Sequence, residues 1–284
     1  MRATAILLFV LVLSISGIAL CLARSAPRTL HLTDGRSYLG FDRNEYPGDE
    51  ALPLLRKSYS FASYWLSPPP GDKSNSWIGK RSVIQAHGFG FLLLYQGRTS
   101  SQLPYKKDSI EAGLADARAA AAAARRDGFP EDSIIFLDVE EGGRFFGGYL
   151  AYLQSWAESL TKEKFHPGIY CSGIVVDEGE GSTIVSSDDI RAHIGVADVV
   201  YWVYNDACPP SPGCGIPQKP PSPAASGVAY ASVWQYVRSP REKQTARHCR
   251  GYAGDGNCYA PADAGHKWFL DENVATTADP SAPR

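Results

Sequence analysis

Residues 134–143 read IIFLDVEEGG, an apolar run that ends directly in Asp138-Val139-Glu140. Residues two apart on a strand share a face, so Asp138 and Glu140 project together with Cα atoms about 6.5–7 Å apart. Glu141 then faces the other way. On a solvated strand end such a pair does no chemistry. Facing a cleft, the two carboxylates repel, at least one pKa rises, and a carboxyl group becomes a proton donor near neutral pH. The same pattern recurs at Tyr38–Asp42, Val199–Asp206 and Trp268–Asp271, which adds Asp42, Asp206 and Asp271. Carboxylates gathered this way either bind hard cations or supply acid–base pairs.

Aromatic and amide side chains sit beside these acids. Tyr64 and Trp65 end one apolar run, and Tyr95 and Gln96 end another. Tyr170, Trp202 and Tyr204 lie in two more, and Trp234-Gln235-Tyr236 closes a fifth. Flat rings with a polar tip suit sugar faces, because the ring packs on C–H groups while the tip bonds a hydroxyl. The repetition beside acids points to a carbohydrate cleft lined by Tyr64, Trp65, Tyr95, Gln96, Tyr170, Tyr204, Trp234, Gln235 and Tyr236.

Something must bring these scattered positions to one place. Apolar runs at 38–42, 61–66, 89–95, 134–138, 168–172, 199–204, 232–237 and 268–271 read as eight strands. Between the first five, helical patterns fall over 48–58, 77–87, 109–127 and 144–164, with a short helix at 187–194. Residues 109–127 have very high helix propensity, with Ser109 as cap and Gly128 as stop. Strands alternating with helices imply a parallel sheet, and eight of them imply an α/β barrel of the (β/α)8 type, with helices reduced to loops in the last third. In such a barrel the strand C-termini share one face. A doubly wound open sheet is the alternative, but no Gly-rich phosphate turn follows the first strand.

The chain of 284 residues is long enough for one such barrel, and its net charge of −2 gives a nucleic-acid partner no electrostatic support. Residues 1–23 have a basic start, an apolar run and small residues for cleavage, the layout of a secretory signal peptide. An uncleaved anchor is the competing reading, and only then is a membrane involved. Residues 24–36 read as a tether, 37–275 as the barrel, and 276–284, TTADPSAPR, as a disordered tail. Export predicts oxidised cysteines: Cys208 with Cys214, and Cys249 with Cys258, would each close a small loop and stabilise by about 2–3 kcal/mol. Cys171 reads as a buried free thiol. Zinc is the rival use, but there is no CxxC and no His pair at ligand spacing. No cofactor is implied, and composition is silent on oligomeric state.

Taken in order, GFDRNEYPG at 40–48, FLDVE at 136–140, PGIYCSG at 167–173, WQY at 234–236 and LDENVA at 270–275 resemble a family of secreted bacterial glycoside-hydrolase-like domains of unknown function. That family is similar in turn to the family 25 lysozyme-type muramidases. The resemblance implies an irregular TIM-like barrel and a peptidoglycan or other polysaccharide partner. It makes Glu140 the general acid, with Asp138 and Asp42 supporting the reaction centre, and Asp206 a loose match to a later-strand Asp; Asp271 is a further possible support. Muramidases usually read Asp-x-Ser where this chain has Asp42-Arg43-Asn44. Two rivals stand beside glycan cleavage: a non-catalytic glycan-binding domain on the same barrel, and a metal-dependent phosphodiesterase, since Asp-x-Glu can hold a divalent ion.

Overall fold

A computed structural model describes residues 36–103, 105–208, 219–237 and 270–284, the side chains of 206–208 excepted. Eight strands close into a single barrel. Their chain order is β1 (Tyr38–Asp42), β2 (Phe61–Trp65), β3 (Gly90–Gln96), β4 (Ile134–Asp138), β5 (His166–Ser172), then β8 (Val200–Cys208), β9 (Val233–Val237) and β10 (Asp271–Ala275). From β1 through β9 the neighbours pair in parallel. This is the TIM-like barrel that the strand count predicts, with one difference. The last strand begins at Asp271 instead of ending there, and it runs antiparallel to both β1 and β9. Because it is reversed, its first residue lies at the rim where the parallel strands end: Asp271 pairs with Asp42.

Side-chain alternation divides each strand between barrel interior and helix layer. The interior is filled low down by large rings set against glycines. A Cβ on Gly40 would lie 2.2 Å from the Phe61 ring, and one on Gly168 would lie 2.6 Å from that of Phe136. Phe136 in turn meets Trp202 edge-on at 5.8 Å. The outer layer holds α1 (Leu52–Leu55), α2 (Arg81–Ala86), α3 (Lys106–Arg126), α4 (Gly147–Lys162) and α5 (Ser186–His193). Ala117, Ala120, Ala121 and Ala124 form the buried stripe of α3 at helical spacing. Gly113 lets α3 approach α4 closely, since a Cβ there would meet the Tyr152 carbonyl oxygen at 2.5 Å. The helix begins one turn before Ser109, whose hydroxyl donates to the Tyr105 carbonyl at 2.9 Å instead of capping the N-terminus.

Between β5 and β8 the chain adds a hairpin that the strand reading does not anticipate, β6 (Val175–Gly179) and β7 (Ser182–Val185). Its turn places Glu180 and Gly181 at φ 51° and 76°, the positive-φ pair a tight two-residue hairpin requires. Cys171 is a buried free thiol, and burial pushes its pKa up. The other expected cysteine pairings, and the segments at 1–23 and 24–35, lie outside the described residues, as does the side chain of Cys208. Among the described residues no helix is long and apolar enough to cross a membrane.

Residues 276–284 are not a disordered tail. They pass beneath the barrel and wedge between β3 and β4, just before those strands begin pairing at Leu93 and Ile135. The Ser281 N–H donates to the Phe91 carbonyl at 2.9 Å, and the Ile134 N–H donates to the Ser281 carbonyl at 3.1 Å. The Leu93 N–H donates to Ser281 Oγ at 2.9 Å and the Phe91 N–H to Asp279 Oδ1 at 2.8 Å. The tail thus acts as a short surrogate strand, satisfying backbone groups that a barrel base would otherwise leave bare. Ser281→Ala should strand the buried Leu93 N–H and lower the unfolding free energy by about 1–3 kcal/mol, read from urea denaturation. An unchanged midpoint at constant m-value would refute that role. Burial also raises the Asp279 carboxyl pKa above its usual range, against the effect of the Phe91 N–H. A raised folded-state pKa means that ionisation at neutral pH opposes folding, and that this penalty fades as pH falls through the folded value. Asp279→Asn is therefore expected to raise the thermal midpoint at pH 7, with a gain that shrinks on acidification. A pH series of melting curves checks the sign.

Candidate functional site

The inward positions at the strand C-termini build a polar rim above the aromatic interior. Asp42, Trp65, Gln96, Asp138, Tyr170, Tyr204, Gln235 and Asp271 all occupy it by alternation. Glu140 continues the face of Asp138 two residues beyond β4. The three aspartates are nearly covered, at 7% exposed for Asp42 and 5% for Asp138 and Asp271, whereas Glu140 is exposed.

At the centre stands Tyr170, whose neighbour in the β4–β5 register is Asp138. Its ring tilts against Trp202 at 4.5 Å and against Tyr204 at 5.3 Å, and its hydroxyl donates to Gln235 Oε1 at 2.9 Å. Burial first, and then the negative fields of Glu140, Asp42, Asp138 and Asp271, drive its pKa far above that of a free phenol. Four carboxylates from three separate parts of the chain therefore act on one buried hydroxyl, which stays protonated and serves as a donor.

Each acid is positioned by its surroundings. Asn273 Nδ2 donates to Asp42 Oδ2 at 2.7 Å and to the Asp271 backbone carbonyl at 3.2 Å, tying β10 to the end of β1. Asp138 is flanked by the loop after β3. The Gly97 N–H donates to the Asp138 carbonyl at 3.0 Å, and a Cβ on Gly97 would lie 2.2 Å from that oxygen. That loop is anchored from behind: Arg98 grips Asp116 through Nε and Nη2 at 2.7 and 2.8 Å, and Tyr152 donates to the same carboxylate at 3.0 Å. The Tyr149 hydroxyl donates to the Arg98 carbonyl at 2.7 Å. Beyond β4, the Tyr204 hydroxyl donates to the Glu140 backbone carbonyl at 3.1 Å. Gln96, Asp138, Glu140, Glu141 and Tyr149 line one hollow with Pro70 and Thr99. Arg43, the departure from the muramidase pattern, pairs with Glu45 at 3.4 Å. Its backbone is held by Ser63 Oγ and by the Trp65 indole N–H.

Four of the aromatic candidates are not in the cleft. Tyr64 faces the helix layer between Trp77, Phe91 and Phe129, and its hydroxyl donates to Asp127. Tyr95 stacks on Trp156 of α4 at 5.7 Å. Trp234 donates its indole N–H to the Asn205 carbonyl, and Tyr236 donates to Glu272, a fully buried glutamate that also accepts from Tyr59. Alternation explains all four: on Trp234-Gln235-Tyr236 only the middle residue turns inward. Asp206 lies within β8, and its side chain is outside the described residues. Asn273 and Tyr149 are the site residues that the sequence reading passes over. Asn273 shares the face of Asp271, two positions on, and that was its available signal. Among the described residues no group of three or more His, Cys, Asp or Glu is placed to hold a metal ion.

The chain is similar to proteins already known. A family model described as "Rv2525c-like, glycoside hydrolase-like domain" matches residues 66–214, a span that includes Asp138 and Glu140. An uncharacterized B. stearothermophilus protein of known structure superposes with a TM-score of 0.53 at 22% identity, covering 84% of this chain and 95% of that one. The Mycobacterium tuberculosis Tat-secreted protein Rv2525c, solved with L-tartrate, matches at 15% identity over 84% of this chain and 94% of its own, with a TM-score of 0.49. The catalytic domain of endolysin ply40 from bacteriophage P40 of Listeria monocytogenes matches at 15% identity over 84% and 92%, with a TM-score of 0.47. No curated protein matches the sequence.

The Asn273 contact carries a stability prediction. Asn273→Ala removes a donor to a buried carboxylate and should cost about 1.5–3 kcal/mol of unfolding free energy. Equal urea midpoints for variant and parent would show that the amide does not hold Asp42.

Proposed function

Since the chain belongs to the Rv2525c-like, glycoside hydrolase-like domain family, we propose that it is an exported glycoside hydrolase that cleaves a cell-wall or other amino-sugar glycan. The carrying observation is the convergence of four carboxylates at one barrel rim: Asp42 pairs with Asp271 across β1 and β10, Asp138 neighbours Tyr170 across β4 and β5, and Glu140 lines one hollow with Asp138. Carboxylates crowded in this way favour one member holding a proton, and glycosidic cleavage needs one carboxylic acid and at least one carboxylate.

In this reading Glu140 is the acid. It is the exposed member of the set and so the one a leaving-group oxygen can reach. It gives its proton to the glycosidic oxygen as the bond to the anomeric carbon breaks. Asp138 and Asp42, held at the rim, stabilise the positive charge that develops on the sugar ring or position the attacking water. Asn273 orients Asp42 without cancelling its charge, because its amide is neutral. Tyr170 and Tyr204, whose hydroxyl protons are engaged within the protein, supply ring faces to sugar C–H groups, and the Gln235 amide N–H supplies a donor, with Trp65 and Gln96 on the opposite wall. Asp271 adds to the negative field, and Asp206 stands as a further support. Export follows from residues 1–23, read as a signal peptide.

Glu140→Gln should leave the fold intact and lower glycan cleavage by about two to four orders of magnitude, as expected for loss of an acid catalyst. The check is a digest of peptidoglycan and other amino-sugar polymers with parent and variant, followed by mass analysis of the products. Equal cleavage by the two proteins removes Glu140 from the role. Binding without any cleavage by the parent converts the protein into a glycan-binding domain on a hydrolase barrel.

A further inference from the structure

Next to the hollow that holds Asp138 and Glu140 lies a second concavity of ≈ 370 Å³, lined by Ser100, Glu141, Gly142, Arg144, Phe145 and Phe146. Glu141 lines both, so the two are neighbours. Its polar groups have protein partners. The Glu141 carboxylate accepts from the Ser100 N–H at 2.9 Å and from its hydroxyl at 3.1 Å. Arg144 makes a two-pronged pair with Glu178 of the β6–β7 hairpin, at 2.8 and 2.6 Å. Phe145 is stacked on Tyr149 at 5.0 Å, and its N–H donates to Asp189 at 2.9 Å. Phe146 differs from all of these. It stands immediately before α4 with its backbone carbonyl accepting the Leu150 N–H at 3.1 Å, yet the residue is 78% exposed.

A benzyl group presented to water from a backbone fixed on both sides contributes little to folding, since burial is what makes such a ring stabilising. It offers a flat apolar face at little entropic cost. With the charged groups of the floor already paired within the protein, the surface suits a ligand with an apolar face and hydroxyl edges more than an ion. We infer that Phe146 is the stacking platform of a neighbouring subsite, receiving a pyranose ring one unit beyond the two that the scissile linkage joins. Glu141 and Arg144 line the same concavity, each held by its partner within the protein. This rests on the glycan reading above and adds to it the direction in which the chain leaves the acid centre, toward the start of α4 and the β6–β7 hairpin.

The test uses the full chain carrying Glu140→Gln, so that ligands are bound and not consumed. Affinities for N-acetylglucosamine oligomers of two to six units, and for soluble peptidoglycan fragments, are measured by titration calorimetry with Phe146 and with Phe146→Ala. The ratio of long-oligomer to disaccharide affinity should fall about tenfold in the alanine variant, the loss of roughly one stacked ring. Phe146→Trp should restore it. Circular dichroism and melting of both variants should match the parent, as Phe146 packs on nothing that holds the fold. An unchanged ratio, with oligomers still binding, overturns the subsite and leaves the glycan reading standing. Failure of every oligomer and fragment to bind either protein overturns both.

Discussion

Closure of the barrel between β1 and β10 is the constraint on which the site depends. Seven parallel strands leave β1 and β9 as open edges, and β10, laid antiparallel between them, completes the ring. That strand brings Asp271 opposite Asp42 and Asn273 opposite Gly40, so the amide of Asn273 can reach across to the Asp42 carboxylate. Without closure Asp42 would sit on a sheet margin, far from the field of Asp138. With it, inward residues of every strand converge on one axis, and Tyr170 feels acids from β1, β4 and β10 together. The geometry also makes the interior self-limiting. Phe61 over Gly40 and Phe136 over Gly168 fill the barrel below, so polar groups are confined to the top layer and the loops above it.

A second requirement is that the loops bearing the acids be stiff. The loop after β3 is pinned by the Arg98–Asp116 pair, which sits where α3 meets the barrel and recruits Tyr152 and Tyr149 from α4. Asp116 is almost covered while Arg98 is partly open to solvent, so most of the desolvation falls on the carboxylate. Two charge-assisted bonds and a phenol offset it. The loop after β4 is braced by Arg144 on Glu178 and by Phe145 on Asp189, which fastens it to the hairpin and to α5. Both loops therefore derive their order from helices that the Ala-rich and aromatic stripes of α3 and α4 hold in place. The outer-layer aromatics, though absent from the cleft, belong to that support: Tyr95 on Trp156 is the contact that seats α4 against β3.

Much of this was legible in the residues. Seven of the eight barrel strands, the four main helices and the Asp138/Glu140 face follow from the sequence pattern, because burial on one face imposes it, while the eighth strand lies at 271–275 and not at 268–271. The orientation of β10 did not follow. A helix between two strands implies a parallel crossover, but the chain before β10 has no helical pattern, and a connection without one leaves direction undetermined. The hairpin at 175–185 was missed because most of its residues face solvent, so no apolar alternation marks it; only the Gly-Glu-Gly turn does. The tail was missed for the opposite reason. TTADPSAPR has the composition of disorder, yet it is ordered by main-chain bonds to β3 and β4, which composition does not register. Counting aromatics at strand ends also overreached. Adjacent residues such as Trp234, Gln235 and Tyr236 cannot all face one cleft, and the pleat selects Gln235.

The family match and the barrel cover different stretches, and the difference is informative about how such a site is assembled. The matched span, 66–214, carries Asp138, Glu140, Tyr170 and Tyr204 but stops short of Asp42, Gln235, Asp271 and Asn273. Those four arrive from the two ends of the barrel, through β1, β9 and β10. A fragment limited to the matched span would hold the acid pair on β4 with no ring around it, and the phenol of Tyr170 would lose both its acceptor on Gln235 and the opposing fields of Asp42 and Asp271. Catalysis by preorganised charge needs the groups fixed before substrate arrives. In this chain that fixing is a property of the closed ring and not of the motif, so the terminal strands position the candidate site as much as the Asp-Val-Glu end that first draws attention.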